Sequence, residues 1–163
     1  MNIEIIEFTP EYIDEANAVW NRVVRDGLAF PQLEELDRES GKEFFASQSF
    51  TGLAVDMDSG KVFGLYILHP NNVGRCGHIC NCSYAVSFDA RGMGIGEKLV
   101  RHSMEKGREL GFGILQFNAV VADNYRALSL YEKLGFVKLG VIPGGFHSID
   151  GTYKDIIPHY HLL

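Results

Sequence analysis

Three glycines at alternate positions, Gly92, Gly94 and Gly96, separate a strand-like run from a helix-forming run, and this arrangement restricts the fold more than any other feature of the chain. Residues 78–87 are typical of a strand, and a helical pattern follows the glycines. Residues Ile114–Val121 then form a near-continuous apolar run of the kind found in strands that are buried on both faces. A strand, a helix and a second buried strand in this order predict helices packed on a sheet.

Apolar periodicity and turn residues predict the remaining elements. Thr9 and Pro10 suit the start of a helix that stops near Gly27, and Gly111 and Gly135 suit the ends of two others. The predicted order is β-α-α-β-β-β-α-β-α-β-β, which is a mixed α/β (α+β) fold with helices on the faces of a sheet. The predicted strands are 2–8, 50–55, 61–69, 78–87, 114–121, 136–142 and 153–160, and the predicted helices are 10–26, 37–48, 94–110 and 124–134.

Size and composition indicate one folded domain. The chain has 163 residues, of which 46% are apolar and 22% are charged, so we expect a single domain that spans residues 1–163. Its formal net charge of -6 argues against nucleic acid as a partner, because phosphate backbones attract basic surfaces. The sequence holds no run of about 18 apolar residues, so we expect no membrane partner either.

The N-terminus and the cysteines both favour a cytoplasmic location. Residues 1–10 show no basic segment of the kind that opens a secretory signal. Cys76, Cys80 and Cys82 are an odd number in a short stretch, unlike a secreted disulfide framework, and we expect reduced thiols. With His78 they suggest a zinc set, but alternate residues of one strand lie about 6.6 Å apart, whereas zinc ligands lie about 2.3 Å from the ion. We therefore predict no metal.

Two other segments have less definite chemistry. The C-terminal sequence HYHLL brings His159 and His161 to one strand face without a third ligand, and we expect an exposed strand end there. Helical periodicity fades over residues 28–36, which include Phe30. We expect that segment to act as a lid or to face a substrate.

The loop with the alternate glycines is suited to anion binding. Loop amides and first-turn N–H groups point outwards, and the helix dipole favours negative charge. Two common phosphate motifs do not fit, because the dinucleotide fingerprint requires a third glycine where Glu97 stands and the P-loop requires a Gly-Lys-Ser/Thr sequence. Taken alone, the glycines are equally consistent with a simple turn before a helix.

The pattern that does fit is R-x-x-G-x-G, formed by Arg91, Gly94 and Gly96, and it resembles the pyrophosphate-binding motif of the GCN5-related N-acetyltransferases (GNAT). A second motif of that superfamily is similar to residues 122–136, in which Asn124 opens a helix, Tyr131 follows and L-G-F leads into a strand. The resemblance covers roughly residues 84–137. It implies a GNAT-type, mostly antiparallel mixed sheet with a central pair of splayed parallel strands and helices on both faces.

The resemblance also implies acetyl-coenzyme A (acetyl-CoA) as co-substrate. The loop amides would meet its pyrophosphate, and the end of the strand at Ala85 and Val86 would pair with the pantetheine amides as an added strand does. Asn124 would bind the coenzyme and cap its helix. The implied coenzyme-binding residues are Ala85, Val86, Arg91, Gly92, Met93, Gly94, Ile95, Gly96, Glu97, Asn124, Ala127 and Tyr131.

By the same resemblance, Tyr131 is the candidate acid that protonates the departing thiolate. A phenol is a slightly weaker acid than a thiol, so it donates to the leaving sulfur without ionising first. The other interpretation is core packing, since Ala127, Leu130 and Leu134 lie on the same helix.

Asn81 and Asn118 place carboxamides inside strand-like runs, where an unpaired carboxamide costs roughly a few kcal/mol. Near splayed strands they are suited to hold a substrate carboxylate and to polarise the thioester, or else they pair with backbone groups at the splay or at a bulge. The segments H-x-C-N and F-N are also similar to those of fungal N-acetyltransferases that act on azetidine-2-carboxylate, whose matching asparagines are regarded as substrate-recognition and transition-state residues. In such a branch Tyr131 is less necessary as an acid. The candidate catalytic residues are Tyr131, Asn81 and Asn118, and the candidate substrate-binding residues are Phe30, His78, Asn81 and Asn118.

These observations predict an N-acetyltransferase that moves the acetyl group of acetyl-CoA, by direct transfer in a ternary complex, to the amine of a small amino or imino acid. One alternative is a protein N-terminal or polyamine acetyltransferase, whose acceptor site would be an open groove or strongly acidic. Another is an acyl-CoA-binding module without turnover. The hydrophobic C-terminal strand also suits a homodimer.

Overall fold

The computed structural model describes residues 1–163, which form one eight-stranded sheet and four α-helices. The strands are β1 (Ile3–Glu7), β2 (Phe50–Asp56), β3 (Val62–Pro70), β4 (Ile79–Val86), β5 (Ile114–Val121), β6 (Val137–Lys138), β7 (Ile142–His147) and β8 (Tyr153–Leu162). The helices are α1 (Ile13–Asp26), α2 (Arg38–Ala46), α3 (Ile95–Glu109) and α4 (Tyr125–Lys133). No helix is both long enough and apolar enough to cross a lipid bilayer.

The strand order is β1-β2-β3-β4-β5-β8, and β6 and β7 both pair with β8. Every neighbouring pair is antiparallel except β4 and β5, which are parallel. Helix α3 connects this parallel pair, because parallel strands need a crossover and cannot be joined by a tight turn. The structure thus confirms the predicted mixed, mostly antiparallel sheet with one central parallel pair.

The sheet separates two hydrophobic cores. On one face, α1 and α2 pack around Trp20, whose ring lies 4.4 Å from that of Phe30 and 5.1 Å from that of Phe44 between centroids. On the other face, α3 and α4 cover Leu99, Leu115 and their neighbours. Burial of such large apolar side chains contributes about 1.5–3 kcal/mol each, so these contacts hold the helices against the sheet.

Helix ends follow the sequence closely. Helix α1 ends at Gly27, whose left-handed φ of 64° is readily accessible to glycine. Helix α2 begins with a capping box, because the Asp37 carboxylate accepts from the Ser40 amide and the Ser40 hydroxyl accepts from the Asp37 amide. The start of α1 differs from the prediction, since Pro10–Tyr12 form a 3-10 turn and the α-helix begins only at Ile13.

Three sequence-based expectations about the C-terminal half are wrong. The predicted strand 136–142 is only the short β6, because the chain turns at Gly140 with φ 132° and a separate strand, β7, follows. Strand β5 is not buried on both faces, since Asn118 is exposed where the strand leaves β4. His159 is 0% exposed, because β8 runs between β5 on one side and β6 and β7 on the other.

Candidate active site

A cavity opens where β4 and β5 separate, and we call it the central cavity. The two strands pair at Ile79 with Ile114 and at Cys80 with Leu115, and no pairing follows beyond that point. The cavity has a volume of about 180 Å³. Residues from the α1–α2 connection, β4, β5 and α4 line it, namely Ala29, Phe30, Pro31, Asn81, Cys82, Ser83, Tyr84, Phe117, Asn118, Ala119, Val120, Val121, Asn124, Ala127 and Tyr131.

A β-bulge helps β5 to diverge from the regular sheet. Phe117 pairs with His159 and Val120 with Ile157, so Asn118 and Ala119 together lie opposite Pro158. The bulge bends β5 beside the central cavity.

Asn81 occupies the fork between the diverging strands. Its Nδ2 donates to the backbone oxygen of Gln116 at 2.7 Å, a carbonyl beyond the last β4–β5 pair. The residue is only 9% exposed, and no donor of the protein reaches its Oδ1. The expected pairing with a backbone group at the splay is thus present, while the oxygen of the same carboxamide stays available in the central cavity.

Asn118 has a different environment from the one that its sequence suggests. The side chain is exposed, its Nδ2 donates to Oδ1 of Asn71 at 2.7 Å, and its Oδ1 accepts from Nε2 of Gln116 at 3.1 Å. The expectation of a buried carboxamide is wrong, because the bulge turns this residue to the rim of the central cavity. Both ends of the carboxamide already have side-chain partners.

Tyr131 projects from α4 into the central cavity. Its ring packs on those of Phe117 and Phe136, with centroid distances of 4.4 and 5.5 Å. Burial raises the pKa of the phenol far above its usual value, with a smaller contribution from the nearby Cys82 thiol. No hydrogen bond holds its hydroxyl within the protein, so a protonated phenol is free to donate to a ligand.

Asn124 begins α4 and also lines the central cavity. Its Oδ1 accepts from the Ala127 amide at 3.3 Å, which confirms the predicted cap. Its Nδ2 has no acceptor within the protein and is therefore available to a ligand.

The glycine loop presents unpaired amides at the start of α3. Gly92 and Gly94 have φ of 83° and 74°, and neither has any atom within 4 Å of an added Cβ, so the need for glycine here is conformational and not steric. The Met93 amide donates to Ala90 O, which removes it from the set of free donors. No acceptor in the protein pairs with the amides of Gly92, Gly94, Ile95, Gly96 or Glu97.

Two charged side chains flank these amides. The guanidinium of Arg91 lies 4.7 Å from the ring centroid of Phe88. The Glu97 carboxylate is held by Arg101 at 2.8 Å and by Lys133 at 2.6 Å, and the Lys133 ammonium lowers its pKa. These contacts offset the negative charge of Glu97 beside an anion site.

The end of β4 has one free edge. Ala85 and Val86 pair with Leu65 and Gly64 of β3 on one side, and β5 has already left on the other side. An extended ligand with amide groups can add to such an edge as a strand would. Along the chain, this edge lies between Tyr84, which lines the central cavity, and the glycine loop.

Phe30 and His78 are placed very differently. Phe30 packs on Trp20 and lines the central cavity. His78 is exposed just before β4, where its carbonyl accepts from the Gly113 amide at 2.9 Å, and it does not line the cavity. The reason is topological, because His78 lies on the paired side of the β4–β5 fork.

Sequence reasoning missed several residues of this site. Ser83 lines the central cavity two positions after Asn81, a signal that strand alternation could have revealed. Tyr84 also lines it, and its hydroxyl bonds to Ser103 Oγ at 2.7 Å. Cys80 and Cys82 are buried, and burial raises the pKa of Cys80 to about 11 and that of Cys82 further. No group of three or more His, Cys, Asp or Glu side chains is close enough to hold a metal ion.

Comparison with known proteins identifies the family. A family model described as "Acetyltransferase (GNAT) family" matches residues 15–136, which include the glycine loop, the splayed strands and Tyr131. The chain belongs to the GNAT acetyltransferase family. This membership confirms the family that the two sequence motifs indicate, and it confirms the prediction of an acetyltransferase.

Individual relatives agree with this assignment. N-acetyltransferase aca1 of Schizosaccharomyces pombe is 28% identical over 158 residues, with 86% of this chain and 76% of that protein covered. A GCN5-related N-acetyltransferase from Kribbella flavida superposes with a TM-score of 0.90 at 28% identity, over 99% of this chain and 98% of that chain. The protein yncA from Salmonella typhimurium, solved with its cofactor acetyl-CoA, superposes with a TM-score of 0.91 at 16% identity, over 100% of this chain and 95% of that chain.

Proposed function

We propose that this GNAT protein transfers the acetyl group of acetyl-CoA to the amine of a small amino or imino acid, by direct transfer within a ternary complex and from a single domain of residues 1–163. The central cavity is the observation that carries the proposal. It places neutral polar groups beside Tyr84, and from Tyr84 the chain continues through the free edge at Ala85 and Val86 to the glycine loop with its unpaired amides.

The coenzyme side of the cavity fits a pantetheine pyrophosphate. The unpaired amides of Gly92, Gly94, Ile95, Gly96 and Glu97 would meet the pyrophosphate, with the positive charge of Arg91 beside them. Ala85, Val86 and Asn124 would bind the pantetheine arm, while Met93 and Ala127 would contribute contacts other than their amides, which are already paired. The complex of the Salmonella protein with acetyl-CoA supports this choice of co-substrate.

The acceptor side is neutral and polar. The central cavity and the groove that adjoins it at Asn81 and Ser83 are lined by no aspartate and no glutamate. A polyamine would require negative charge, whereas carboxamide and hydroxyl groups suit the carboxylate of an amino or imino acid. This composition favours the amino-acid acceptor over the polyamine.

Tyr131 and Asn81 are the residues that we propose for catalysis. The Tyr131 hydroxyl would donate its proton to the sulfur as the thiolate leaves. Asn81 would orient the acceptor with its free Oδ1, and its Nδ2 holds β5 at the fork through Gln116. Asn118 would act at the rim, where its carboxamide is already tied to Asn71.

Direct transfer is favoured over an acyl-enzyme. The nucleophile of a cysteine acyl-enzyme is the thiolate. Cys82 is the thiol that lines the central cavity, and burial raises its pKa so that it stays protonated near neutral pH. A thiol in this state does not compete with an incoming amine.

The proposed setting is a homodimer in the cytoplasm. Exposed apolar side chains follow one another along the edge of the sheet at Val137, Leu139, Val141 and Ile142, and they support self-association. The three free cysteines support a reducing compartment. Light scattering of the purified protein measures the oligomeric state, and a monomer at micromolar concentration would contradict the dimer.

An acceptor screen tests the proposed function. Purified protein is incubated with acetyl-CoA and with azetidine-2-carboxylate, L-proline, other amino acids, spermidine or short peptides, and free thiol is followed. We expect release with amino or imino acids. Release with spermidine or peptides alone would favour the alternative acceptors, and coenzyme binding without release in any mixture would identify a binding module.

A further inference from the structure

A polar groove adjoins the central cavity on the α1–α2 face of the sheet, and we call it the side groove. It shares Pro31, Asn81 and Ser83 with the central cavity, so the two are continuous. A small molecule that enters the side groove therefore reaches Asn81 at the fork of the strands. The lining residues are Pro31, Gln32, Phe44, Gln48, Ile67, His69, Asn81 and Ser83.

His69 stands directly beside Asn81 in this groove. The two residues are register partners across β3 and β4, and side chains of directly opposed residues lie on the same face of a sheet. Ser83 follows on that face by strand alternation. His69 is half-buried at the end of β3, so its ring is partly shielded from water while it remains open to the groove.

The hydrogen bond of His69 favours one tautomer of the neutral imidazole. Its Nδ1 lies 3.0 Å from the backbone oxygen of Pro70, which accepts a proton and cannot donate one. Nδ1 therefore carries the hydrogen and Nε2 carries the lone pair. No donor of the protein pairs with Nε2, which leaves it available to a molecule in the side groove.

Among the residues that line the central cavity and the side groove, no other is suited to take up a proton. Apart from His69, the side groove is lined by residues of the α1–α2 connection, of α2 and the turn after it, and of β3 and β4. None of these side chains titrates, and they are Pro31, Gln32, Phe44, Gln48, Ile67, Asn81 and Ser83. The titratable side chains of the central cavity are Cys82, Tyr84 and Tyr131, and burial raises the pKa of each. These three side chains hold their protons at neutral pH and cannot act as bases there.

We propose that His69, through Nε2, is the general base that deprotonates the acceptor amine. The inference rests on the proposed acetyl transfer. It assigns a residue to the deprotonation of the acceptor amine, a step for which the sequence indicates no base. The position of His69 fits this role, because it lies beside Asn81 at the fork, whereas the proposed pantetheine edge at Ala85 and Val86 lies at the other end of β4. Asn81 would orient the acceptor between the two.

The proton balance of the transfer follows from this assignment. The amine enters as an ammonium ion, Nε2 takes one proton, and the freed lone pair forms the new C–N bond at the thioester carbonyl. The C–S bond breaks, Tyr131 gives a proton to the departing sulfur, and the second proton lost by the nitrogen restores the phenol. His69 releases its proton to water, so the net products are the amide, the thiol of coenzyme A and one proton.

The test is the pH dependence of His69→Gln beside that of the wild type, with the amine that the wild type acetylates fastest. General bases contribute about 10²- to 10⁴-fold, so we expect kcat to fall at least about 100-fold while the Kd of coenzyme A stays within about twofold. The acid limb of the wild-type kcat/KM profile should disappear in the variant. Added imidazole should restore part of the lost rate.

His161→Gln is the matched control. The Nδ1 of His161 is likewise bonded to the carbonyl of the next residue, Leu162, but His161 lines neither the central cavity nor the side groove. We expect the control to keep the wild-type rate and profile. An equal loss of rate in both variants, or an unchanged acid limb in His69→Gln, would overturn the inference.

A spectroscopic measurement complements the kinetics. In protein labelled with ¹⁵N-histidine, the His69 resonances, assigned by their loss in His69→Gln, should show a protonated Nδ1 and an unprotonated Nε2 above neutral pH. The opposite tautomer would overturn the inference even in a fully active enzyme. A wild type that acetylates no amine would overturn the proposed function and the base together, whereas an active His69→Gln variant would overturn the base alone.

Discussion

Asn81 and Asn118 carry the same side chain in neighbouring strands, yet their surroundings give them unequal roles. Asn81 is almost fully buried and bonds the Gln116 carbonyl at 2.7 Å, whereas Asn118 is exposed and bonded to Asn71. An unpaired buried carbonyl costs about 1–3 kcal/mol, while an exposed one is hydrated. The two asparagines should therefore respond differently to removal.

We expect Asn81→Ala to lower the free energy of unfolding by about 1–3 kcal/mol and Asn118→Ala by less than about 1 kcal/mol. Asn81→Ala should also raise the acceptor KM, because the free Oδ1 disappears from the central cavity. Urea denaturation and steady-state kinetics measure the two effects. Equal losses of stability in the two variants would contradict this account of the fork.

Tyr131 combines a fixed ring with a free hydroxyl. We expect Tyr131→Phe to lower kcat by about 100-fold or more, because the proton donor is lost, while the packing on Phe117 and Phe136 keeps coenzyme affinity within about twofold. Tyr153→Phe, an exposed tyrosine of β8, is the control. Steady-state kinetics measure kcat, and calorimetric titration with coenzyme A measures the affinity. Unchanged turnover would remove Tyr131 from the catalytic residues.

The glycine loop and helix α3 act together as one element. Gly94 at the start of α3 and Gly111 just beyond its end both have left-handed backbones, with φ of 74° and 90°, and neither has an atom within 4 Å of an added Cβ. An alanine at either position therefore costs only backbone strain, about 1–2 kcal/mol. A comparison of the two alanine variants therefore separates an effect on stability from an effect on ligand binding.

We expect Gly94→Ala and Gly111→Ala to lose similar stability. The first should also weaken coenzyme A binding at least about tenfold, because the loop amides shift, and the second should bind as the wild type does. Thermal denaturation and calorimetric titration provide the two readouts. Equal affinities in both variants would argue against an anion site in the loop.

At the scale of the whole molecule, we expect acid sensitivity from two histidines, of which His159 is buried and His102 half-buried. Burial lowers the pKa values of His159 and His102 below 6.5, so the unfolded chain takes up protons at a pH where the folded protein does not. Stability is complete above about pH 6.5 and falls as the pH drops towards the folded-state pKa values. Hydrogen bonds from Ser59 and Lys61 lower the pKa values of Asp56 and Asp89, and their stabilisation is lost below about pH 4.

His159→Asn should reduce this acid sensitivity. An asparagine amide can still donate to Ile157 O, as Nδ1 does at 2.7 Å, but it does not titrate. We expect the variant to lose less stability than the wild type between about pH 7.5 and about pH 5, measured by urea denaturation at each pH. The exposed His147→Asn is the control, and identical pH slopes in all three proteins would refute the explanation.

Much of the fold and of the coenzyme side is readable from the sequence, because those features depend on local physics. Helix ends at Gly27 and Gly111, the Asn124 cap and the glycine loop require particular residues at particular backbone angles. Strand β5 was located to the residue by its apolar run. The prediction of one strand over residues 136–142 failed because those residues look like one apolar segment. The turn at Gly140 divides that segment between β6 and β7.

Only the tertiary structure determines which residues lie on the acceptor side of the central cavity. The sequence by itself determined the order of elements as far as α4, the anion loop and the presence of two asparagines and a tyrosine near a strand fork. Only the fold placed His69 opposite Asn81, moved His78 to the far side of the fork and turned Asn118 outwards at the bulge. Strand register and the unpaired stretch of β4 and β5 arise from contacts between residues far apart in the chain, and no local pattern encodes them.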